Sequence, residues 1–307
     1  MTMTALEQAI GLEPGVYYDL PAEEYHAIRL PSNSILSQLD RSPAHALHAM
    51  ETPFEPSDEM KLGTAMHMSL WEPERFERTY MKAGRCSAIK KGDGKPCEND
   101  GNIFHDGRWV CGVHGKGIVM DPTIQIVTES MMTSIRGMTE SIQNHPSARR
   151  LLDRPSKQEA TIIFRDPATE IMCKMRVDRL IQWSASQYVI ADLKTTSDSS
   201  EDGFSFSAFK RGYFRQGAMY IRGAHAVGLN VAKFVDMAVE SDAPFNCSTY
   251  QFDDADLSLA HEEVTQLLLE YDNCEKTGKW PGYSENFVTL RMPDSSRRKL
   301  EKELGQN

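Results

Sequence analysis

The residues best suited to chemistry stand together in the run Tyr188-Val-Ile-Ala-Asp-Leu-Lys-Thr195. Extended chain puts alternate side chains on one face. Asp192 and Lys194 therefore project the same way, and Ala191 and Leu193 the other. A charge at the end of an apolar strand is costly to bury unless it is paired or bound to a metal. A second strand-like run, Ile171–Val177, leads directly into Asp178. Two carboxylates at neighbouring strand ends can share a hard divalent cation, with water completing its shell. The lysine can then orient or deprotonate a water, or steady developing negative charge. Taken alone, Asp192-x-Lys194 also fits a surface ion pair on an edge strand. The apolar run before it and the acid at the next strand end weigh against that.

Helical spacing supplies further candidates. Gln216 and Tyr220 lie one turn apart and share a face, as do Gly63 and His67, although a lone helical histidine is more often structural than a ligand. Arg211, Arg215 and Arg222 are spaced by four and seven, a single stripe that could grip DNA phosphates beside the reacting one or could be an ordinary solvated face.

The glycine-rich stretch 84–117 carries Cys86-x10-Cys97-x13-Cys111-x2-His114. Three thiolates and an imidazole suit tetrahedral Zn²⁺, and His105 is a substitute ligand. A segment of this composition buries little apolar surface, so a metal would explain its order. A closed four-ligand shell leaves no catalytic position, which makes the module a knob for DNA or a partner. An iron–sulfur cluster is set aside, because Cys247 and Cys274 lack close spacing.

The elements that must position these residues follow from periodicity. Residues 13–80 read as mostly helical, with starts at Pro21, Asn33 and Ser42-Pro43 and a helix over 57–71 whose Gly63, Thr64 and Ala65 would admit a close neighbour. Helical patterning returns over 121–152. Strands are expected over 159–164, 171–177 and 188–195, with a hairpin turn at Asp166–Glu170. A long helix over 207–228, strands over 231–240 and 246–252, and a helix over 254–277 follow, before a polar tail. This order implies an α/β chain with a mixed central sheet flanked by helices.

Among 307 residues, 34 are Lys or Arg and 44 Asp or Glu, for a net charge of −10. Affinity for nucleic acid therefore cannot come from the global field and needs a local site. No run is apolar enough for a membrane span, no secretory signal is visible, and a cytoplasmic location is the expectation.

The ordered set Gly63-x-x-x-His67, Asp178, Asp192-Leu-Lys194 and Gln216-x-x-x-Tyr220 resembles the RecB-like branch of the PD-(D/E)xK nuclease superfamily. Gly15–His26, Leu62–His67, Glu72-Pro-Glu74, Asp192–Thr196 and Trp280-Pro281 are similar to the exodeoxyribonuclease VIII (RecE-type) exonuclease domain. The resemblance spans 13–290 apart from the insert at 84–117, leaving tails at 1–12 and 291–307. It departs from the family motif at Val177, where proline would precede the aspartate.

The resemblance implies a restriction-endonuclease-like core with a helical N-terminal region. It implies a Mg²⁺-dependent, or Mn²⁺-dependent, exonuclease that degrades linear double-stranded DNA 5′ to 3′ and leaves 3′ tails for phage-type recombination. His67, Asp178, Asp192 and the Leu193 carbonyl would be metal ligands, Lys194 the catalytic lysine, and Gln216 and Tyr220 would line the site. Glu159 is an additional acid. Duplex ends, a homo-oligomeric ring and a single-strand annealing protein are the implied partners. An endonuclease or nickase, or a non-catalytic zinc-containing DNA-binding protein on the same fold, are the alternatives.

Overall fold

A computed structural model of the chain describes residues 13–52, 57–92, 94–121 and 123–305; the expected tail at 1–12 lies outside them. The chain opens with β1 (Gly15–Tyr17) and helices α1 (Ala22–Ala27), α2 (Asn33–Arg41), α3 (Pro43–Glu51), α4 (Asp58–Trp71) and α5 (Pro73–Thr79). Strand β2 (Tyr80–Lys82) leads into the cysteine insert, which holds the hairpin β3 (Ile103–His105) and β4 (Arg108–Val110). The chain returns through β5 (Gln125–Val127), parallel to β2, into α6 (Glu129–Asn144) and α7 (Pro146–Leu152). Three long strands follow: β6 (Ser156–Arg165), β7 (Met172–Gln182) and β8 (Tyr188–Thr196). Helices α8 (Glu201–Lys210) and α9 (Tyr213–Ala226) cross to β9 (Val231–Glu240). Strand β10 (Cys247–Gln251), α10 (Asp254–Thr277) and α11 (Asp294–Glu303) complete it.

The six-stranded sheet has the order β1-β6-β7-β8-β9-β10, with β8 and β9 parallel and every other pair antiparallel. Two apolar cores cover its faces. Ile162, Phe164, Met175, Ile190 and Phe234 meet Leu36 of α2, Ala46 of α3, Ala218 of α9 and Val264 of α10. On the opposite face Ile181, Val189, Ala191, Leu193 and Met237 meet Met66 of α4, Met138 of α6 and Leu151 of α7. Strand β8 thus divides its side chains as period two requires, odd residues to one core and Ile190 to the other. At Gly63 the neighbour is β8, where a Cβ would meet Thr195 Oγ1 at an ordinary 3.8 Å. Close approach occurs at Gly223 of α9, where a Cβ would fall 2.6 Å from the Phe164 ring.

The N-terminal region is mostly helical as expected, with Gly15-Val-Tyr17 added as an edge strand on β6. Two expectations change for local reasons. The helical stretch over 121–152 breaks at His145-Pro146: proline disfavours a helical residue before it, and His145 is extended (ψ 122) while its ring accepts from the Ala148 amide. The helix over 207–228 is two helices, because Gly212 adopts φ +69 between them.

That break, and what covers α9, corrects the arginine stripe. Arg211 sits in the turn and is exposed, whereas the Arg215 side chain is 4% exposed. Arg215 is held by Glu263, by Asp40 at 3.3 Å and by the Ser37 hydroxyl at 3.0 Å. Arg222 donates to Asp166, to the His261 carbonyl at 3.1 Å and to Thr265 at 2.9 Å. Helical period gave their common direction, but that direction is inward, and desolvated guanidiniums take carboxylates rather than phosphates as partners. Asp166 in turn binds the Ala168 and Thr169 amides of the β6–β7 hairpin. Replacing Arg222 by methionine should therefore strand a buried carboxylate and lower the unfolding free energy by roughly 3–5 kcal/mol, read by urea denaturation.

Candidate active site

The antiparallel ladder between β7 and β8 stops at the pair Arg179 and Ala191. One step further the strands splay, and the residues facing each other across the fork are Asp178 and Asp192. Asp178 Oδ2 closes the fork by accepting a hydrogen bond from the Leu193 amide at 3.0 Å. A side chain thus takes the place of the strand partner that this N–H has lost.

The same point disturbs β6. Its register to β7 is constant, yet the pair Glu159 and Asp178 is missing from the ladder, and Glu159 has φ +50. Before the disturbance β7 sends Met175 and Val177 into the larger core; beyond it Leu180 continues into that core while Ile181 turns to the other. The pleat has slipped by one residue. A non-glycine residue in the left-handed region costs free energy, and such strain is common at functional sites.

Helix α4 brings His67 over this slip, its Nε2 3.1 Å from Asp178 Oδ2. One atom each of His67, Glu159 and Asp178 lies within 4.8 Å of the others. Glu159 also accepts from Arg176 Nε at 2.6 Å. The cluster opens to solvent: side-chain exposure is 44% for Glu159, 23% for His67 and 20% for Asp178. Burial works against a charged His67, but the Asp178 carboxylate outweighs it and the pKa is raised to about 9. Asp178 is lowered despite burial, by His67, Lys194 and the Leu193 amide.

Asp192 lies deeper, 3% exposed. Its oxygens are held by Lys194 Nζ at 2.5 Å and by Gln216 Nε2 at 2.8 Å. Gln216 Oε1 accepts from the same Lys194 Nζ at 2.7 Å, so α9 locks acid and amine into one triangle. Lys194 Nζ also stands 4.2 Å over the Tyr213 ring. Burial and the nearby Asp178 charge lift Asp192 to about 6, against the pull of Lys194. Lys194 remains strongly basic although buried, because Asp192, Asp236 and Asp178 surround it. Tyr220, pushed well up by burial, gives its hydroxyl to the Arg176 carbonyl at 3.0 Å and braces β7 beside the fork.

Asp236 was not foreseen. It sits on β9 in register with Asp192, is fully buried, and neither oxygen has a hydrogen-bond partner. Burial pushes its carboxyl far up. The available signal was an acid inside the apolar run Phe234-Val-Asp-Met-Ala-Val239, which is unfavourable unless a charge stands nearby.

The donor set of carboxylate oxygens with one imidazole suits a hard divalent cation such as Mg²⁺ or Mn²⁺. His67, Glu159 and Asp178 offer the open ligands; Asp192, expected as a ligand with them, stands across the fork outside that close group, its oxygens taken by Lys194 and Gln216. Leu193 touches Asp178 through its amide. In the insert, Cys86, Cys97, Cys111 and His114 converge, one atom from each within 4.8 Å of the rest. His105 is not among them and pairs with Asp106 at 3.3 Å.

A family described as a PDDEXK-like domain of unknown function, DUF3799, matches residues 32–293. The chain belongs to that family. The sheet of this PDDEXK-like domain, flanked by helices on both faces, has the fold of the PD-(D/E)xK superfamily. Among solved structures, a candidate exonuclease from Eubacterium rectale superposes with a TM-score of 0.57 at 12% identity, covering 92% of this chain and 98% of its own. That likeness shows a shared fold. An alkaline exonuclease from Laribacter hongkongensis reaches a TM-score of 0.27 at 13% identity, over 45% of this chain and 69% of its own. No curated protein matches the sequence.

If the fork holds a cation, Gln216 acts on it by fixing Asp192. Gln216→Ala should then weaken Mn²⁺ binding about 10–100-fold in a titration followed by electron paramagnetic resonance, with the helical content of the protein unchanged.

Proposed function

We propose that this PDDEXK-like chain is a metal-dependent exodeoxyribonuclease that degrades linear double-stranded DNA 5′ to 3′ and leaves 3′ single-stranded tails for recombination. The observation that carries the reading is the placing of Asp178 and the Asp192–Lys194 pair on the two arms of the β7–β8 fork, with His67 and Glu159 beside Asp178 and open to solvent.

His67, Asp178 and Asp192 would hold the ion, with Glu159 and the Leu193 carbonyl at hand. Bound there, Mg²⁺ or Mn²⁺ would supply a water of lowered pKa and neutralise phosphoryl oxygens. Lys194, kept as an ammonium by three acids, is placed to orient that water and to donate to oxygen that gains negative charge. Gln216 keeps Lys194 and Asp192 in register through its two amide ends. Tyr220 stiffens the strand that carries Asp178. With Arg215 and Arg222 turned inward, the phosphates flanking the reacting one must be gripped by other groups, and Arg211 is the exposed member of the three.

Action on ends rather than interior sites follows the RecE-type resemblance and agrees with the exonuclease assignment of the Eubacterium rectale protein. The same resemblance supports a homo-oligomeric ring, a single-strand annealing partner and work in a bacterial cytoplasm. The exposed Phe287, Val288 and Leu290 near the C-terminus fit burial between subunits. No helix among the described residues is long and apolar enough to cross a membrane.

End-labelled linear duplex and closed circular duplex, each with Mg²⁺ and with EDTA, test this directly. The linear form should be consumed from its 5′ ends only with metal, and the circle should survive. Lys194→Ala should slow digestion by about 10²–10³ and Asp192→Asn at least as much, both keeping the native circular-dichroism spectrum. A cut circle would assign an endonuclease instead, and full activity in the Lys194 variant would overturn the reading.

A further inference from the structure

The insert is folded around four side chains that neither the fork nor the sheet uses. Residues 84–117 contain the three-residue strands β3 and β4 and two isolated bridges, Arg85 to Asp100 and Ile89 to Pro96. The buried cluster of the insert is Cys86, Cys97 and Cys111, each 4–5% exposed, with Ala88 and Val110 against them. Its aromatic pair is spent elsewhere: Phe104 packs on Trp109, which lies so tightly on Gly84 and Gly101 that a Cβ at Gly84 would fall 2.2 Å from its ring and one at Gly101 2.6 Å from its Cβ. Three sulfurs are poor material for a core. Their net dispersion gain is small, and so little apolar surface cannot offset the entropy of ordering about thirty residues.

The distances between the four side chains are specific. Cys97 Sγ and Cys111 Sγ lie 4.0 Å apart, and His114 Nδ1 lies 3.5 Å from Cys86 Sγ and 3.3 Å from Cys111 Sγ. A disulfide would need about 2.0 Å between sulfurs, and all of these cysteines are free. A regular tetrahedron around zinc, with bonds of about 2.3 Å to sulfur and about 2.0–2.1 Å to nitrogen, has edges of about 3.8 Å between sulfurs and about 3.6 Å between sulfur and nitrogen. The observed separations are those edges to within a few tenths of an ångström. Hydrogen-bond donors also converge on one of the sulfurs. The backbone amides of His114 and Val113 and the Asn99 side chain, at 3.7 Å, all point hydrogens at Cys111 Sγ. Donors aimed at a coordinating sulfur fix and tune it.

We propose that Cys86, Cys97, Cys111 and His114, the last through Nδ1, form a closed structural Zn²⁺ site that holds the insert folded. Four protein ligands leave no position for substrate, so the ion organises the module and takes no part in hydrolysis. Binding releases the protons of the thiols and changes no oxidation state. The inference stands apart from the nuclease reading, because it shares no residue with the fork.

Metal analysis of the full-length protein, purified without added metal or chelator, should find about one zinc per chain. Cobalt exchanged into the protein should give the visible bands of a tetrahedral thiolate site. Cys111→Ala and His114→Ala should each lose the metal, whereas His114→Cys, which supplies a fourth thiolate, should keep it. Asp192→Asn should also keep it, so failure of the nuclease reading and failure of the zinc site are told apart. Removing the ion with a chelator should make Lys90 and Lys91 the first sites cut by trypsin while the sheet resists. Zinc well below half an atom per chain, iron in its place, or undiminished zinc in Cys111→Ala would overturn the proposal.

Discussion

Everything at the fork depends on keeping acids together that repel one another when charged. Asp178, Asp192 and Asp236 stand on three successive strands of one sheet, two of them almost sealed from water, and burial drives Asp236 toward its neutral form. Neutralisation comes from Lys194 and His67, each of which is pulled toward its charged form although burial opposes it. Such a cluster is stable only when every charge has a counter-charge or a metal, and removing one member exposes the others to uncompensated desolvation. The rest of the architecture reads as support for that balance. Helix α9 delivers Gln216 and Tyr220 one turn apart, and α4 delivers His67 from the opposite side of the sheet.

The strained geometry has a defined mechanical role. Up to the slip, β6 and β7 turn Ala160, Ile162, Met175 and Val177 into the larger core, and beyond it Leu180 faces that core in their place. The slip falls at the pair Glu159 and Asp178, the two acids that lie under His67. The cost is a left-handed Glu159, offset in part by its ion pair with Arg176, which also ties the β1–α1 connection through the Leu20 carbonyl at 3.0 Å.

Much of this was legible in residues alone. Strand β8 was readable because an apolar run leads into Asp192, and the two-residue period of extended chain put Asp192 and Lys194 side by side; helix α10 was readable because its period holds from its Asp253 cap to Gly278. Asp178 could be placed because an acid followed an apolar run. Three things were not legible, each for a physical reason. Asp236 depends on which strand lies beside β8, a long-range fact that local pattern does not encode. Glu159 was named as an additional acid, but the backbone slip that aims it at His67 is announced by no residue type. The arginines of α9 were given a common face by helical period, but period does not say whether that face meets water or Glu263 and Asp166.

The insert leaves and rejoins the domain through β2 and β5, a short parallel pair in which Tyr80 faces Gln125 and Lys82 faces Val127. Its two attachment points are therefore neighbours, clamped outside the six-stranded sheet. An appendage rooted this way places almost no torsional demand on its host. It could be acquired, exchanged or shed by a lineage, or swapped for a reporter by an engineer, as a plug is drawn from a socket, with the hydrolytic scaffold left to fold by its own contacts.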